Sequence, residues 1–297
     1  MLVRGPSPLL PAFIGAAQKL KIPTALLLVG SYVDGVDDLP QPRWRKELIR
    51  IYGRINQLQQ DRAGLHSLTF VNSRKLFNRY NGLVPRLIET RTTTLTEQDF
   101  FYRFDTCYGS PIRLLYTGRF DRGKGLLEMV EALAMLIKKG YLLSLDLVGW
   151  AEPGDSVIDS VMDLAARLGV ADQVVNHGRK SVGPELFAFY KQADIYVIAS
   201  RLSEGFPRTI WEAMAHCLPT VATRIGSIPQ FLGDAAELVH PCNVESLANG
   251  IEMLLNNPIR RQEMIVKGLA LTRANTLEAR SREMYQGLID WIERGSV

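Results

Sequence analysis

From Pro111 onward, short apolar runs alternate with longer stretches of helical periodicity, and few folds satisfy that alternation. The runs are IRLLYTG, LSLDLVG, ADIYVIAS, PTVAT and AELVH, each with the length and apolar content of a strand buried on both faces. Between the first two, LLEMVEALAMLIKKG places Leu126, Met129, Val130, Leu133, Leu136 and Ile137 on one helical face, then closes on Lys138, Lys139 and Gly140. Strand, helix and strand in that order form a βαβ unit, so the pattern predicts a parallel sheet wrapped by helices.

The first third follows the same pattern less completely. TALLLVG and HSLTFVN read as buried strands, with a helix from Arg43 to Gln60 between them. A doubly wound domain carries about five or six strands, so two legible βα units suggest the later part of a Rossmann-like domain. Thr92 to Ser110 has little periodicity and reads as a link. After Ala274, a last helix carries Leu277, Met284, Leu288, Trp291 and Ile292 on one side and must pack on something. The expected domains are therefore an incomplete N-terminal domain over 1–108, a second domain over 109–275, and a helix over 276–297 that crosses back to the first.

Composition excludes several function classes. Hydrophobic residues make up 46% of the chain, enough for a proper core, but nowhere form an uncharged apolar run long enough to span a membrane. Pro6, Pro8 and Pro11 interrupt the N-terminal stretch before any signal-like segment develops, and the chain reads as cytoplasmic. The net charge of +4 is too small to argue for nucleic acid, and it divides as +6 before Pro111 and −2 after it. Cys107, Cys217 and Cys242 lack metal or disulfide spacing, and His66, His177, His216 and His240 form no ligand set, so no metal is expected. His216, four residues after Glu212, reads as helix packing.

Two strand-to-helix turns carry the chemistry. In GRFDRGKG, Gly118 to Gly125, glycines let the backbone approach an anion, helix-start amides point at it, and Arg119 and Lys124 add positive charge. This describes a diphosphate cradle, although a plain turn with two surface cations would have the same sequence. The spacing is nearly that of a P-loop, but Gly125 stands where a magnesium-binding hydroxyl is required, which argues against an NTPase. The second turn, SEGFPRTIWEAM, follows ADIYVIAS. Pro207 suits the first helical turn, leaving the amides of Arg208 and Thr209 without helical acceptors. Glu204 and Glu212 flank this turn, and carboxylates at strand ends suit sugar hydroxyls. Taken singly, each Glu could also be an ordinary loop or surface charge. Other strand-end loops place Gly149, Trp150, Arg179 and Lys180 at the same border, with Arg179 or Lys180 as candidates to approach a base.

Together the two motifs resemble family 4 of the retaining glycosyltransferases. The resemblance implies the GT-B fold: an α/β architecture of two Rossmann-like domains, here with the N-terminal one incomplete. It implies that Gly118, Arg119 and Lys124, with the amides of Arg208 and Thr209, hold a donor diphosphate. Glu204 would lie by the donor sugar as the catalytic carboxylate, Gly205, Phe206 and Pro207 would line its hydroxyls, and Glu212 would bind the ribose. The implied reaction needs no metal or other cofactor. It transfers a sugar from a nucleoside-diphosphate donor to a glycan or lipid-linked acceptor with retained configuration. The chain departs from the family in three places. The Gly-rich acceptor loop that opens the family's N-terminal domain is missing. The strand TALLLVGSYVDG ends in Gly30, Ser31 and Tyr32 where a histidine is usual, and GSIPQ puts Gln230 where an acidic residue is usual. A non-catalytic donor-binding module and a sugar-nucleotide epimerase therefore stand as alternatives.

The helix from Arg43 to Gln60 reads in two ways. Trp44, Leu48, Ile51, Tyr52, Ile55 and Leu58 share one side, with Arg43, Arg45, Lys46, Arg50 and Arg54 elsewhere. Either the helix lies on a membrane surface as a peripheral contact, or it buries its apolar side in the domain and solvates its basic one. The second reading is preferred.

Overall fold

Strands rich in Leu, Val and Ile along their whole length can be stable only with cover on both faces, and both sheets of this protein have it. The computed structural model describes residues 1–297 except 8, 31–35, 37–40, 91–92, 202–205 and 294–297. Two compact units emerge, one of residues 1–94 with 277–297 and one of residues 95–276.

The first unit has four parallel strands, β1 (Leu2–Gly5), β2 (Ala25–Leu28), β3 (Leu68–Val71) and β4 (Arg86–Glu89), hydrogen-bonded in that order. They are joined by helices α1 (Leu10–Lys19), α2 (Arg43–Gly64) and α3 (Arg74–Tyr80). Strand alternation divides the core into two layers. Leu26, Leu28 and Val71 pack with Leu10, Ile14, Ala63, Leu76 and Tyr80 from these helices. On the other side Ala25, Leu68 and Phe70 meet Met284, Leu288 and Trp291 of the last helix, Leu277–Glu293. Two strands exceed the sequence reading. β1 is an edge strand with Leu2 exposed, and none of the four residues of β4 is fully buried, so neither carries a strong apolar signal.

Residues 95–107, read above as link, belong to the second unit. Leu95 enters its core, Phe101 N donates to Ala215 O, and Arg103 donates to the carbonyls of His216 and Tyr190. Asp105 forms a fully buried, two-pronged ion pair with Arg261 at 2.7 and 2.8 Å.

The second unit contains six parallel strands: β5 (Ile112–Arg119), β6 (Leu143–Trp150), β7 (Val174–Asn176), β8 (Ile195–Ile198), β9 (Thr220–Thr223) and β10 (Glu237–Val239). The connecting helices are α4 (Leu126–Lys138), α5 (Val157–Arg167), α6 (Pro184–Gln192), α7 (Arg208–Ala215), α8 (Ile228–Leu232), α9 (Val244–Asn256) and α10 (Pro258–Arg273). The five apolar runs from Pro111 are thus β5, β6, β8, β9 and β10. In space the order is β10-β9-β8-β5-β6-β7. The chain starts in the middle at β5, runs outward through β6 and β7, then returns to β8 and runs the other way. This is the doubly wound Rossmann order, and its reversal between β5 and β8 opens a crevice at the carboxyl ends of the strands.

Candidate functional site

A cleft of about 380 Å³ occupies that crevice, lined by the ends of β5, β6 and β8 and by the start of α7. Gly118, Arg119, Lys124, Pro207, Arg208, Thr209 and Glu212 all border it. Residues far apart in sequence meet because the switch in strand order brings the two turns side by side.

The first turn is built around close backbone approaches. Gly125 has φ +70° and caps α4, and a Cβ there would sit 2.0 Å from the carbonyl oxygen of Ala199. No serine or threonine fits, so the residue that a P-loop needs is sterically excluded. A Cβ on Gly149 would meet Gly118 O at 1.7 Å, so β5 and β6 come this close at their ends only with glycine. Asp121 accepts from Gly123 N at 2.8 Å and from Arg119 Nε at 2.9 Å, orienting the arginine at the mouth of the cleft.

The second turn enters α7 through Pro207, an extended N-cap, followed by Arg208 and Thr209 in the first turn of the helix. The amides of Arg208 and Thr209 have no acceptor within the helix and carry its positive dipole end. Phe206 stacks on Trp211 with ring centroids 4.4 Å apart, anchoring the entry. Glu204 and Gly205 lie outside the described residues, as do Ser31 and Tyr32.

Glu212 is not a surface charge, being buried at the cleft floor. Tyr190 of α6 donates to its Oε2 at 2.8 Å, and Tyr190 in turn lies 2.6 Å from the Thr117 hydroxyl. Tyr196 donates to the Thr209 hydroxyl at 2.7 Å. Burial raises the Glu212 pKa, opposed by the Tyr190 hydrogen bond and the nearby Arg208 charge. Burial also holds both tyrosines well above their ordinary range, so they remain protonated donors. Sequence reading missed this scaffold, because nothing local tells a tyrosine of α6 that its partner is a glutamate of α7.

The far wall is Trp150, Lys180, Val182 and Leu186, a mixed apolar and cationic surface. Arg179 lies over the Trp150 ring at 5.1 Å and Lys180 pairs with Glu185 at 3.6 Å, so of these two candidate cations Lys180 is the one that lines the cleft. Among the described residues no three His, Cys, Asp or Glu side chains gather as a metal-holding group.

His216 packs behind the site. It is fully buried against Phe187 and Tyr190, with its Nδ1 2.7 Å from the Glu212 carbonyl. Burial pushes its pKa down to about 4. The unfolded chain, with an ordinary histidine, takes up the proton first, so acid favours unfolding. The contribution should be complete above about pH 6.5, fade as pH falls toward about 4, and amount to about 3 kcal/mol. Glu212 has the opposite slope, so the difference between wild type and His216→Asn isolates the histidine. Urea unfolding at pH 7 and pH 5 should show a smaller acid loss in the variant, and equal losses would refute the assignment.

Residues 103–269 match the family described as glycosyl transferases group 1. The chain belongs to that family. Among curated relatives, a D-inositol 3-phosphate glycosyltransferase of Corynebacterium aurimucosum is 32% identical over 153 residues, covering 50% of this chain and 36% of the relative. An MMP alpha-(1->4)-mannosyltransferase of Mycolicibacterium hassiacum is 33% identical over 138 residues, covering 46% and 32%. The matched stretch thus spans about a third of these relatives. Among solved structures, Anabaena HepE in complex with UDP superimposes with a TM-score of 0.74 at 16% identity, covering 97% of this chain and 78% of HepE. Sucrose-phosphate synthase of Thermosynechococcus elongatus gives 0.68 at 21% identity, covering 95% and 77%. The fold class is that of the GT-B glycosyltransferases, as the motifs implied.

Proposed function

We propose that this group 1 glycosyltransferase is a cytoplasmic, retaining enzyme of family 4 that moves a sugar from a nucleoside-diphosphate donor to a glycan or lipid-linked acceptor. One observation carries the reading: two cationic side chains and the exposed amides of a helix start converge on a single cleft at the switch point of a doubly wound sheet. The complexes of HepE with UDP and with UDP-glucose support a nucleotide sugar as the ligand.

In this reading the diphosphate lies between Arg119 and Lys124 on one side and the amides of Arg208 and Thr209 on the other. Thr209 accepts from Tyr196, which leaves its own hydroxyl proton for a phosphate oxygen. Glu212, with one oxygen held by Tyr190, offers the other to the ribose hydroxyls. Trp150, Val182 and Leu186 form the apolar wall for the base. Glu204, Gly205, Phe206 and Pro207 take the donor sugar, as the family resemblance implies. The bond from the anomeric carbon to the diphosphate oxygen breaks, and its electron pair leaves with the diphosphate. The acceptor oxygen then bonds to the same face of that carbon and releases its proton to the departing phosphate. Fixed cations and amides neutralise the leaving group, so the step requires no metal.

Calorimetry with UDP, UDP-glucose and GDP-mannose, followed by donor-consumption assays in EDTA with and without an acceptor extract, tests the proposal. Expected is saturable binding of one donor, consumed only when acceptor is present. Binding without consumption supports a donor-binding module, and conversion to an epimeric sugar nucleotide without acceptor supports an epimerase. Absence of binding to any nucleotide removes the reading.

A further inference from the structure

Helix α2 faces the opposite way from the preferred sequence reading. Trp44, Leu48, Ile51, Tyr52, Ile55 and Leu58 are all 52–61% exposed, while Asn56, Gln57 and Gln60 are buried. Spacings of four, three, one, three and three residues place the six on one stripe, about 21 Å long, on the outward side of the helix. The orientation is held by polar bonds. Gln57 and Gln60 both donate to the Tyr80 hydroxyl, at 3.0 and 2.9 Å, and Tyr80 donates to Asp61 at 2.6 Å. Rolling the stripe inward would break these bonds and carry Asn56, Gln57 and Gln60 into solvent. The neighbouring α1 and its two caps add Phe13, Leu9 and Leu20 to the apolar residues that the unit exposes.

We propose that this stripe is a membrane-docking surface that lies in the headgroup region of an anionic bilayer. Charge selects the occupant. By helical spacing Arg43, Arg50 and Arg54 run along one edge of the stripe, with Glu47 among them paired to Arg50, and Arg45 along the other, and the first 110 residues carry a net +6. Arginine stems can lie along an apolar face while their guanidinium groups reach up to lipid phosphates. A second copy seated on the same stripe would bring two sets of arginines together. Trp44 and Tyr52 are amphipathic rings of the kind that rest at the headgroup level. No helix among the described residues is long and apolar enough to cross a membrane, so the contact is in-plane. This inference does not depend on the donor site.

The test is co-sedimentation of the full chain with vesicles of phosphatidylglycerol and phosphatidylcholine, and with phosphatidylcholine alone, at low and high salt. The wild type should pellet with the anionic vesicles, about tenfold or more less with neutral ones, and less at high salt. Leu48→Glu with Ile55→Glu should lower pelleting about tenfold without shifting the melting temperature, since both residues point outward. Vesicles should also shift tryptophan emission to the blue, and Trp44→Phe should remove that shift. The proposal is overturned if anionic vesicles pellet no protein or if the double variant binds as well as the wild type. It is equally overturned if sedimentation velocity shows a lipid-independent dimer that the double variant dissociates.

Discussion

Neutralising the proposed diphosphate cradle should cost about one to two orders of magnitude in donor affinity per cation and about three in the Arg119→Ala, Lys124→Ala double variant. A charge-assisted hydrogen bond to phosphate is worth roughly 1.5–3 kcal/mol net, and in the proposed reaction each cation also meets charge that grows as the diphosphate departs. The turnover rate should therefore fall along with affinity, by about a hundredfold or more. Stability should not follow. Arg119 is half exposed and its ion partner Asp121 is also held by the backbone, so little packing is lost. Arg119→Lys should restore part of the affinity, because a point charge replaces the fork but not its two-pronged geometry. Calorimetry with the nucleotide diphosphate and steady-state kinetics with the matching sugar donor are the measurements. A double variant whose donor affinity stays within a factor of about two of wild type would end the proposed role of this turn.

The largest effect on stability should come from the ion pair that ties residues 95–107 to the second unit. Arg261 is enclosed between Asp105 and the carbonyls of Leu254 and Leu255, to which its guanidinium makes four hydrogen bonds. Replacing it with Leu leaves the Asp105 carboxylate buried without its counter-ion, and a stranded charge of this kind costs about 3–5 kcal/mol. In a unit of this size that lowers the melting temperature by roughly 10 °C. The double variant Asp105→Leu, Arg261→Leu should recover much of the loss, because the penalty belongs to the unpaired charge and the pair itself is close to neutral against an apolar replacement. Urea unfolding followed by tryptophan emission reports the second unit through Trp150 and Trp211. A single variant that loses less than about 1 kcal/mol would show that solvent reaches the pair.

The legible parts of the protein share one property, which is that their signal is local. β5, β6, β8, β9 and β10 could be read because each is a mostly apolar run set off from the helical stretch that follows it. The cleft was readable for the same reason, since strand ends in a parallel sheet must share an edge. β1 and β4 were missed because an edge or half-covered strand has no need of a continuous apolar run. The roles of Asp105 and Arg261 were illegible because 156 residues separate them and neither stands in a motif.

Local periodicity determined that the chain builds a doubly wound sheet with two strand-to-helix turns on one edge, since burial on both faces and helix-start geometry are properties of short segments. It also determined that α2 has an apolar side and a polar side. Which side faces inward was decided by the tertiary structure, because only there does the Tyr80 hydroxyl arrive to accept from the side-chain amides of Gln57 and Gln60. The same is true of Glu212: its charge is written in the sequence, but its burial and its tyrosine partner exist only once α6 and α7 pack side by side.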